Sequence, residues 1–149
     1  MSQRVFVVFA ALCVVSAIAV VRAQTKPPAL YVTSADAVKF TPLDPKNPGG
    51  PSVAVVSGSL QGKGPITLFL KLSKGPAPLH THTAGYFGIV VRGQAKHWPA
   101  GGEASAATLG PGSHWYQPGK AAHGDECVAN ECLLLIQMEG PYDFAVAAK

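Results

Sequence analysis

The chain has 149 residues and a formal net charge of +4; 48% of its residues are hydrophobic and 13% are charged. Its basic residues form no stripe with interleaved aromatic side chains, which argues against nucleic acid as a partner. Together with 16 glycines and 13 prolines, the low charged fraction predicts a compact, turn-rich, all-β domain.

The first 23 residues have the pattern of a secretory signal peptide. Arg4 precedes an apolar run over 5–21, and small residues around Ala23 predict cleavage before Gln24. The run just reaches the length of a membrane span, so an uncleaved anchor is the alternative. Cys13 lies in the middle of this run after a large residue, which rules against lipoprotein processing. We therefore predict a periplasmic or secreted protein without membrane contact after cleavage.

The 126 residues left after cleavage suffice for one domain with a core. We expect a proline-containing lead-in and loop over 24–50 and a β-barrel domain over 51–145. Short apolar runs bounded by Gly, Pro or Asn predict strands at 52–60, 66–72, 79–82, 86–92, 94–98, 104–109, 113–117 and 133–139. Their regular spacing favours a single antiparallel barrel.

Two cysteines remain after cleavage, Cys127 and Cys132. Four residues separate them, and Asn130 among these suits a turn, so the pair can face each other across a hairpin loop. Since an exported chain meets an oxidising compartment, we predict a disulfide. The alternative is that Cys127, four residues beyond His123, ligates a metal.

Three histidines form a candidate metal site. His80 and His82 are two residues apart, so in an extended strand both imidazoles point to the same face. His123 follows a turn and a second apolar run, and a distant strand can bring it to the same point. Three neutral nitrogens leave coordination positions open for chemistry or ligand binding. Such a set suits Zn, Fe, Ni, Cu or Mn, so the identity of the ion stays open.

Two segments resemble the two motifs of the cupin superfamily. Residues 75–93 contain the glycine, the HxH pair and the closing glycine of the first motif. Residues 112–123 contain the glycine, the hydrophobic strand, the proline and, five residues later, the histidine of the second. The chain is also similar to small exported cupins of unassigned function, relatives of the cupin lobe of zinc-binding anti-sigma factors. The resemblance implies a cupin-type jelly-roll barrel with His80, His82 and His123 as metal ligands.

One departure from the family pattern concerns the glutamate ligand. Tyr86 stands at its position, or Phe87 if the spacer is one residue longer, and no carboxylate occurs between His82 and Gly93. Three imidazoles alone leave a divalent ion with its full charge, which favours an anionic ligand or hydroxide. For Tyr86 three roles stay open: phenolate ligand, hydrogen-bond donor or pocket wall, and plain packing. Asp125 or Glu126 is the alternative source of a carboxylate.

The candidate ligand pocket contains Tyr86, Trp115 and Gln117. Alternation sends Trp115 and Gln117 to one face of a strand and the neighbouring His114 and Tyr116 to the other, and the sequence does not decide which pair faces inward. A surface role and a pocket role are both open for His97.

We expect an exported metal-binding cupin that holds one divalent ion and binds a small, oxygen-bearing ligand, with an anion favoured. The first alternative is a cupin-type dioxygenase using Fe or Cu. The second is a metal-free structural or interaction barrel that forms a homodimer through an edge strand. The sequence does not decide whether the protein is an enzyme.

Overall fold

The computed structural model describes residues 29–147, and within that range nine antiparallel strands form one curled sheet. The strands are β1 (Thr41–Pro42), β2 (Ser52–Ser57), β3 (Ile66–Pro76), β4 (His80–Thr81), β5 (Tyr86–Arg92), β6 (Ala95–Pro99), β7 (His114–Gln117), β8 (His123–Met138) and β9 (Ala145–Val146). Short 3-10 turns lie at Ala35–Ala37 and Glu103–Ser105. The predicted signal peptide and its cleavage site lie outside the described residues. None of the helical segments in 29–147 is long and apolar enough to cross a membrane.

Strand β8 is the central strand of the sheet. One of its edges pairs first with β3, where Leu68 lies opposite Ile136, and then with β4, where His80 lies opposite His123. Its other edge pairs with β5 and β6. Strands β2 and β1 extend the sheet beyond β3, β7 extends it beyond β5, and β9 extends it beyond β4. Because β8 pairs with two strands along each of its edges, the sheet curls around a single interior.

Alternating burial along the strands defines that interior. In β5, Tyr86 and Val90 are buried, whereas Phe87 and Ile89 are exposed on the outer face. This is the period of two expected of a strand with one buried face, and it confirms the strand that was predicted here from an apolar run bounded by glycines. The inward side chains of several strands form the core: Val53, Ile66, Leu68, Val90, Leu134, Ile136 and Met138. Burying each of these large side chains contributes roughly 1.5–3 kcal/mol relative to leaving it in water.

The predicted strand at 104–109 is wrong. Residues Glu103–Ser105 form a 3-10 turn, and Leu109 makes only an isolated bridge with Ala95. Except for Leu109, this run offers only alanine, serine and threonine, so it has no large side chain to bury at alternate positions. Conversely, β1 lies within the stretch predicted as loop, where Thr41 pairs with Val53.

The predicted disulfide between Cys127 and Cys132 is present, but the predicted hairpin is wrong. Both cysteines lie in β8, which continues past them in the same direction. Between them the register against β3 shifts, so that three residues of β8, 128–130, oppose Lys74 alone. The disulfide therefore closes a bulge within one strand. Its sulfurs are bonded to each other, which excludes Cys127 as a thiolate ligand.

Candidate metal centre

His80, His82 and His123 come together inside the sheet, as the sequence predicts. One ring nitrogen from each lies within 4.8 Å of the others. The rings of His80 and His123 are 4.2 Å apart between centroids, because β4 and β8 pair at these two residues. His123 is 0% exposed and His80 is 4% exposed, so the meeting point is shielded from solvent.

Backbone carbonyls hold each ring in one orientation. Nδ1 of His80 lies 2.8 Å from the Pro78 oxygen, Nδ1 of His123 lies 3.0 Å from the Ala121 oxygen, and Nδ1 of His82 contacts the Asp143 oxygen. Because a carbonyl oxygen can only accept, Nδ1 carries the proton in all three rings. Nε2 is then the unprotonated nitrogen of each ring, which is the arrangement that metal sites require.

Burial also keeps two of these rings uncharged. It is the main cause that lowers the pKa of His123 to about 4; the hydrogen bond to Ala121 opposes the shift, and the nearby His80 ring adds to it. Burial likewise lowers the pKa of His80 below its ordinary value. A neutral imidazole is the form that ligates a metal, so both rings are ready to bind near neutral pH. Three oriented nitrogens of this kind fit a divalent ion.

Tyr86, at the expected glutamate position, reaches the same site. Its hydroxyl lies 3.2 Å from Nε2 of His123 and donates to it. Burial raises the pKa of this phenol above its ordinary value, and the Asp125 carboxylate raises it further. Tyr86 is therefore a neutral hydrogen-bond donor in this structure, and a phenolate is disfavoured.

Asp125 brings a carboxylate to the site. It lies two residues beyond His123 in β8, so both side chains point to the same face. Its Oδ2 lies 3.5 Å from Nε2 of His80 and its Oδ1 lies 2.7 Å from Nδ1 of His97. Glu126 instead pairs with Lys96 at 3.1 Å. Of the two carboxylates considered from the sequence, Asp125 is the one beside the histidines.

Of the two pairs in β7, Trp115 and Gln117 face inward, whereas His114 and Tyr116 are exposed. Trp115 stacks on His97, with ring centroids 4.8 Å apart. Gly88 lies opposite Trp115 in β5, and a Cβ there would come within 2.4 Å of the indole. The absence of a side chain at Gly88 thus makes room for the indole.

Gln117 is buried against His97. Its Oε1 lies 3.0 Å from Nε2 of His97, and its amide group donates to the carbonyls of Pro118 and Ala121. Tyr86 and Trp115 line the cavity described below, but Gln117 does not. The sequence left the role of His97 open. Its contacts with Gln117 and Asp125 place this ring in the interior beside the site.

Sequence reasoning missed the contribution of the segment 142–146. The Asp143 carbonyl orients His82, and Phe144 stacks on His80 at 4.5 Å between centroids. The two residues after Phe144 form β9, which pairs with β4. The available signal was the alternation of Tyr142 and Phe144, two aromatic residues on one face of an extended segment.

A cavity of about 290 Å³ adjoins the histidines, at the lower end of the size range of small-molecule sites. His80, His82 and Asp125 form part of its wall, and Lys74 also lines it. The buried Nε1 of Trp115 completes no hydrogen bond with any of residues 29–147. It nevertheless lies close to the Tyr86 oxygen, where it partly opposes the rise in the pKa of that phenol. The remaining wall is mostly apolar and includes Leu68, Leu70, Leu134, Ile136, Met138 and Phe144.

Solved structures share this architecture. The polyketide cyclase RemF from Streptomyces resistomycificus superposes with a TM-score of 0.63 at 15% identity, over 81% of this chain and 87% of that one. An RmlC-like cupin from Shewanella frigidimarina NCIMB 400 matches with a TM-score of 0.58 at 16% identity, over 76% and 93% of the two chains. The fold is a cupin fold. KdgF from Halomonas sp. matches with a TM-score of 0.55 at 17% identity, over 71% and 92%.

No protein-family model and no curated protein matches this chain. The likeness to other cupins therefore concerns the architecture, and the chemistry has to be argued from this chain's own residues.

Proposed function

We propose that this protein is an exported cupin that holds one divalent metal ion through His80, His82 and His123. The observation that carries the proposal is the orientation of the rings. Each Nδ1 donates to a carbonyl, so each Nε2 is left without a proton in one buried place, and that of His123 accepts a hydrogen bond from Tyr86. A core that only needed to be filled would gain nothing from three convergent polar rings, since buried polar groups are costly unless they are satisfied.

The adjoining cavity supports binding of a small, oxygen-bearing ligand with an apolar body. Its wall is mainly hydrophobic, whereas its polar groups lie at the histidine end. There a divalent ion would supply a Lewis acid for an oxygen donor. The N–H of Trp115, which lies near the Tyr86 oxygen without completing a hydrogen bond of good geometry, is suited to a second acceptor atom on the ligand, and Lys74 favours an anion.

Export is proposed from two features. The amino-terminal pattern of a charge, an apolar run and small residues is that of a signal peptide. The buried disulfide between Cys127 and Cys132 is compatible with an oxidising compartment, which we take to be the periplasm or the exterior.

The test is metal analysis of protein purified without an affinity tag, compared with a His82→Ala variant. We expect about one ion per wild-type chain, a higher thermal midpoint with added metal, and loss of both effects in the variant, because an ion that binds only the folded state stabilises it. His114→Ala is the matched control, since its ring is exposed on β7. Wild-type protein that carries less than about one-tenth of an ion, with a midpoint insensitive to added metal, would leave the metal-free barrel as the better account.

The cupin-type dioxygenase is the alternative for the same site, favoured by the open coordination positions beside the cavity. Oxygen uptake by the Fe-loaded or Cu-loaded protein with phenolic and diketone substrates distinguishes the two. Uptake that His82→Ala abolishes indicates the enzyme, and metal binding without uptake indicates the binding module.

A further inference from the structure

We propose that Asp125 is the anionic ligand of the metal centre and takes the place of the missing glutamate. The inference rests on the proposed function. Between His82 and Gly93 the chain has no carboxylate, so the segment that follows the two neighbouring histidines cannot supply a negatively charged ligand. Asp125 supplies it from β8, the strand that carries His123.

The strand period places Asp125 correctly. Residues two apart in β8 point to the same face, and both His123 and Cys127, on either side of Asp125, are fully buried there. The Asp125 side chain is only 15% exposed and lines the cavity. Glu126 alternates to the opposite face, where it pairs with Lys96.

The distance to His80 is that of two ligands sharing an ion. Asp125 Oδ2 lies 3.5 Å from His80 Nε2, the nitrogen whose lone pair is free. Two ligand atoms each about 2.1 Å from a tetrahedral ion lie roughly 3.4 Å apart. The spacing between this carboxylate and His80 is thus that of two ligands on one ion. Asp125 is not among the residues whose ligand atoms all lie within 4.8 Å of one another, so its side chain has to move toward His82 and His123 when the ion binds.

His97 holds the other carboxylate oxygen and acts as a positioning residue. The Gln117 amide group donates to two carbonyls, which turns its Oε1 toward Nε2 of His97. Nδ1 of the same ring donates to Oδ1 of Asp125 at 2.7 Å, and Trp115 stacks on the ring. Because Oδ1 of Asp125 and the ring plane of His97 are fixed in this way, the other carboxylate oxygen, Oδ2, faces His80.

The carboxylate changes the charge of the centre. Three neutral imidazoles would leave a divalent ion with a charge of +2, whereas Asp125 as a fourth ligand reduces the net charge of the ion and its direct ligands to +1. Three nitrogens and one oxygen complete a tetrahedral shell but leave two positions open on an octahedral ion. Ligand binding at this centre is therefore expected with ions that adopt six-coordination.

The test compares Asp125→Asn with Glu126→Gln, which removes a charge from the neighbouring residue on the outer face. Affinity for Co²⁺ is measured by competition with a chelator, and the visible spectrum of the Co²⁺ protein reports its coordination. We expect Asp125→Asn to weaken binding by at least tenfold relative to Glu126→Gln and to alter the spectrum. His97→Phe, which keeps the stacking but loses the hydrogen bond, should weaken binding about tenfold, in the range typical of groups that orient metal ligands.

A second measurement covers the case in which Asp125→Asn fails to fold. Wild-type protein labelled with ¹³C at its aspartate carboxyl groups should show a shifted carboxylate stretch in the infrared difference spectrum on addition of Zn²⁺. An unshifted spectrum, or Asp125→Asn affinity within about twofold of Glu126→Gln, would overturn the proposal while leaving the three-histidine site intact. Wild-type protein that binds no Co²⁺ would overturn the metal-binding function itself.

Discussion

Tyr86 competes with a metal ion for the same nitrogen. Its hydroxyl donates to Nε2 of His123, the lone pair that an ion needs, while Nδ1 of that ring is held by Ala121. Because burial raises the pKa of the phenol, it keeps its proton and does not become an anionic ligand. Metal binding therefore has to break this hydrogen bond, whose net contribution is about 1 kcal/mol.

Tyr86→Phe is expected to tighten metal binding by about three- to tenfold, because the ion no longer displaces a hydrogen bond. Chelator competition at neutral pH measures the change, and the metal-free variant should lose about 1 kcal/mol of unfolding free energy. Weaker binding in Tyr86→Phe than in wild-type protein would show instead that the phenol ligates the ion.

Some residues of the site can be predicted from local sequence spacing, and others are placed there only by the pairing of distant strands. Spacing predicts His80, His82 and His123 as a cluster, because the two-residue period and the motif resemblance point to one location. Asp125 remained one of two alternatives, since the predicted strand begins only at residue 133, whereas β8 begins at His123, so the alternation of a strand was not expected over the segment between them. His97 reaches the site only through the pairing of β6 with β8, where it lies opposite Asp125. Registers between distant strands depend on the whole sheet, so no local pattern reveals them.

Strand β8 shows why a turn signal can mislead at the scale of an element. Asn130 and the two cysteines predict a hairpin, but residues on both sides of them pair with β3 in one continuous direction. Within the bulge, the Val128 N–H donates to the Gln94 carbonyl at 2.8 Å, so the bulged backbone is satisfied by the turn between β5 and β6. Most predicted strands were correct because apolar runs bounded by turn residues mark them. The bulge shifts the alternation within β8, since the buried side chains change from odd positions (His123 and Cys127) to even ones (Cys132, Leu134, Ile136 and Met138).

Removing the disulfide with Cys127→Ala and Cys132→Ala should lower the unfolding free energy by about 2 kcal/mol, as expected for closing a six-residue loop. For a domain of this size that corresponds to roughly 5–10 °C in thermal midpoint. Calorimetry of the double variant measures it. An unchanged midpoint would mean that pairing with β3 and β6 alone holds the bulge.

At the scale of the molecule, the histidine cluster makes folding sensitive to acid. The folded protein keeps His123 uncharged down to a pKa of about 4, whereas in the unfolded chain the ring protonates near its ordinary value of 6.5. Below pH 6.5 the unfolded state therefore binds more protons, and stability falls with pH until the folded pKa is passed. His80, whose pKa is also lowered by burial, acts in the same direction.

Metal-free protein should therefore lose roughly 2 kcal/mol of unfolding free energy between pH 6.5 and pH 4 through His123. Urea titrations at several pH values measure the loss. His123→Gln should reduce the dependence, because the contribution of His123 is lost and that of His80 remains, whereas His114→Gln, on the exposed face of β7, should retain it in full. A variant curve parallel to that of wild-type protein across this window would assign the acid sensitivity to other groups.

The segment 142–146 completes the site late in synthesis. Every other wall of the site precedes it in the chain, yet it provides the carbonyl that orients His82 and the strand that pairs with β4. A nascent polypeptide that already contains all three imidazoles thus lacks the partner that orients His82 until translation has passed residue 146. If the proposed export takes place before folding, we expect the chain to take up its ion in the compartment of destination.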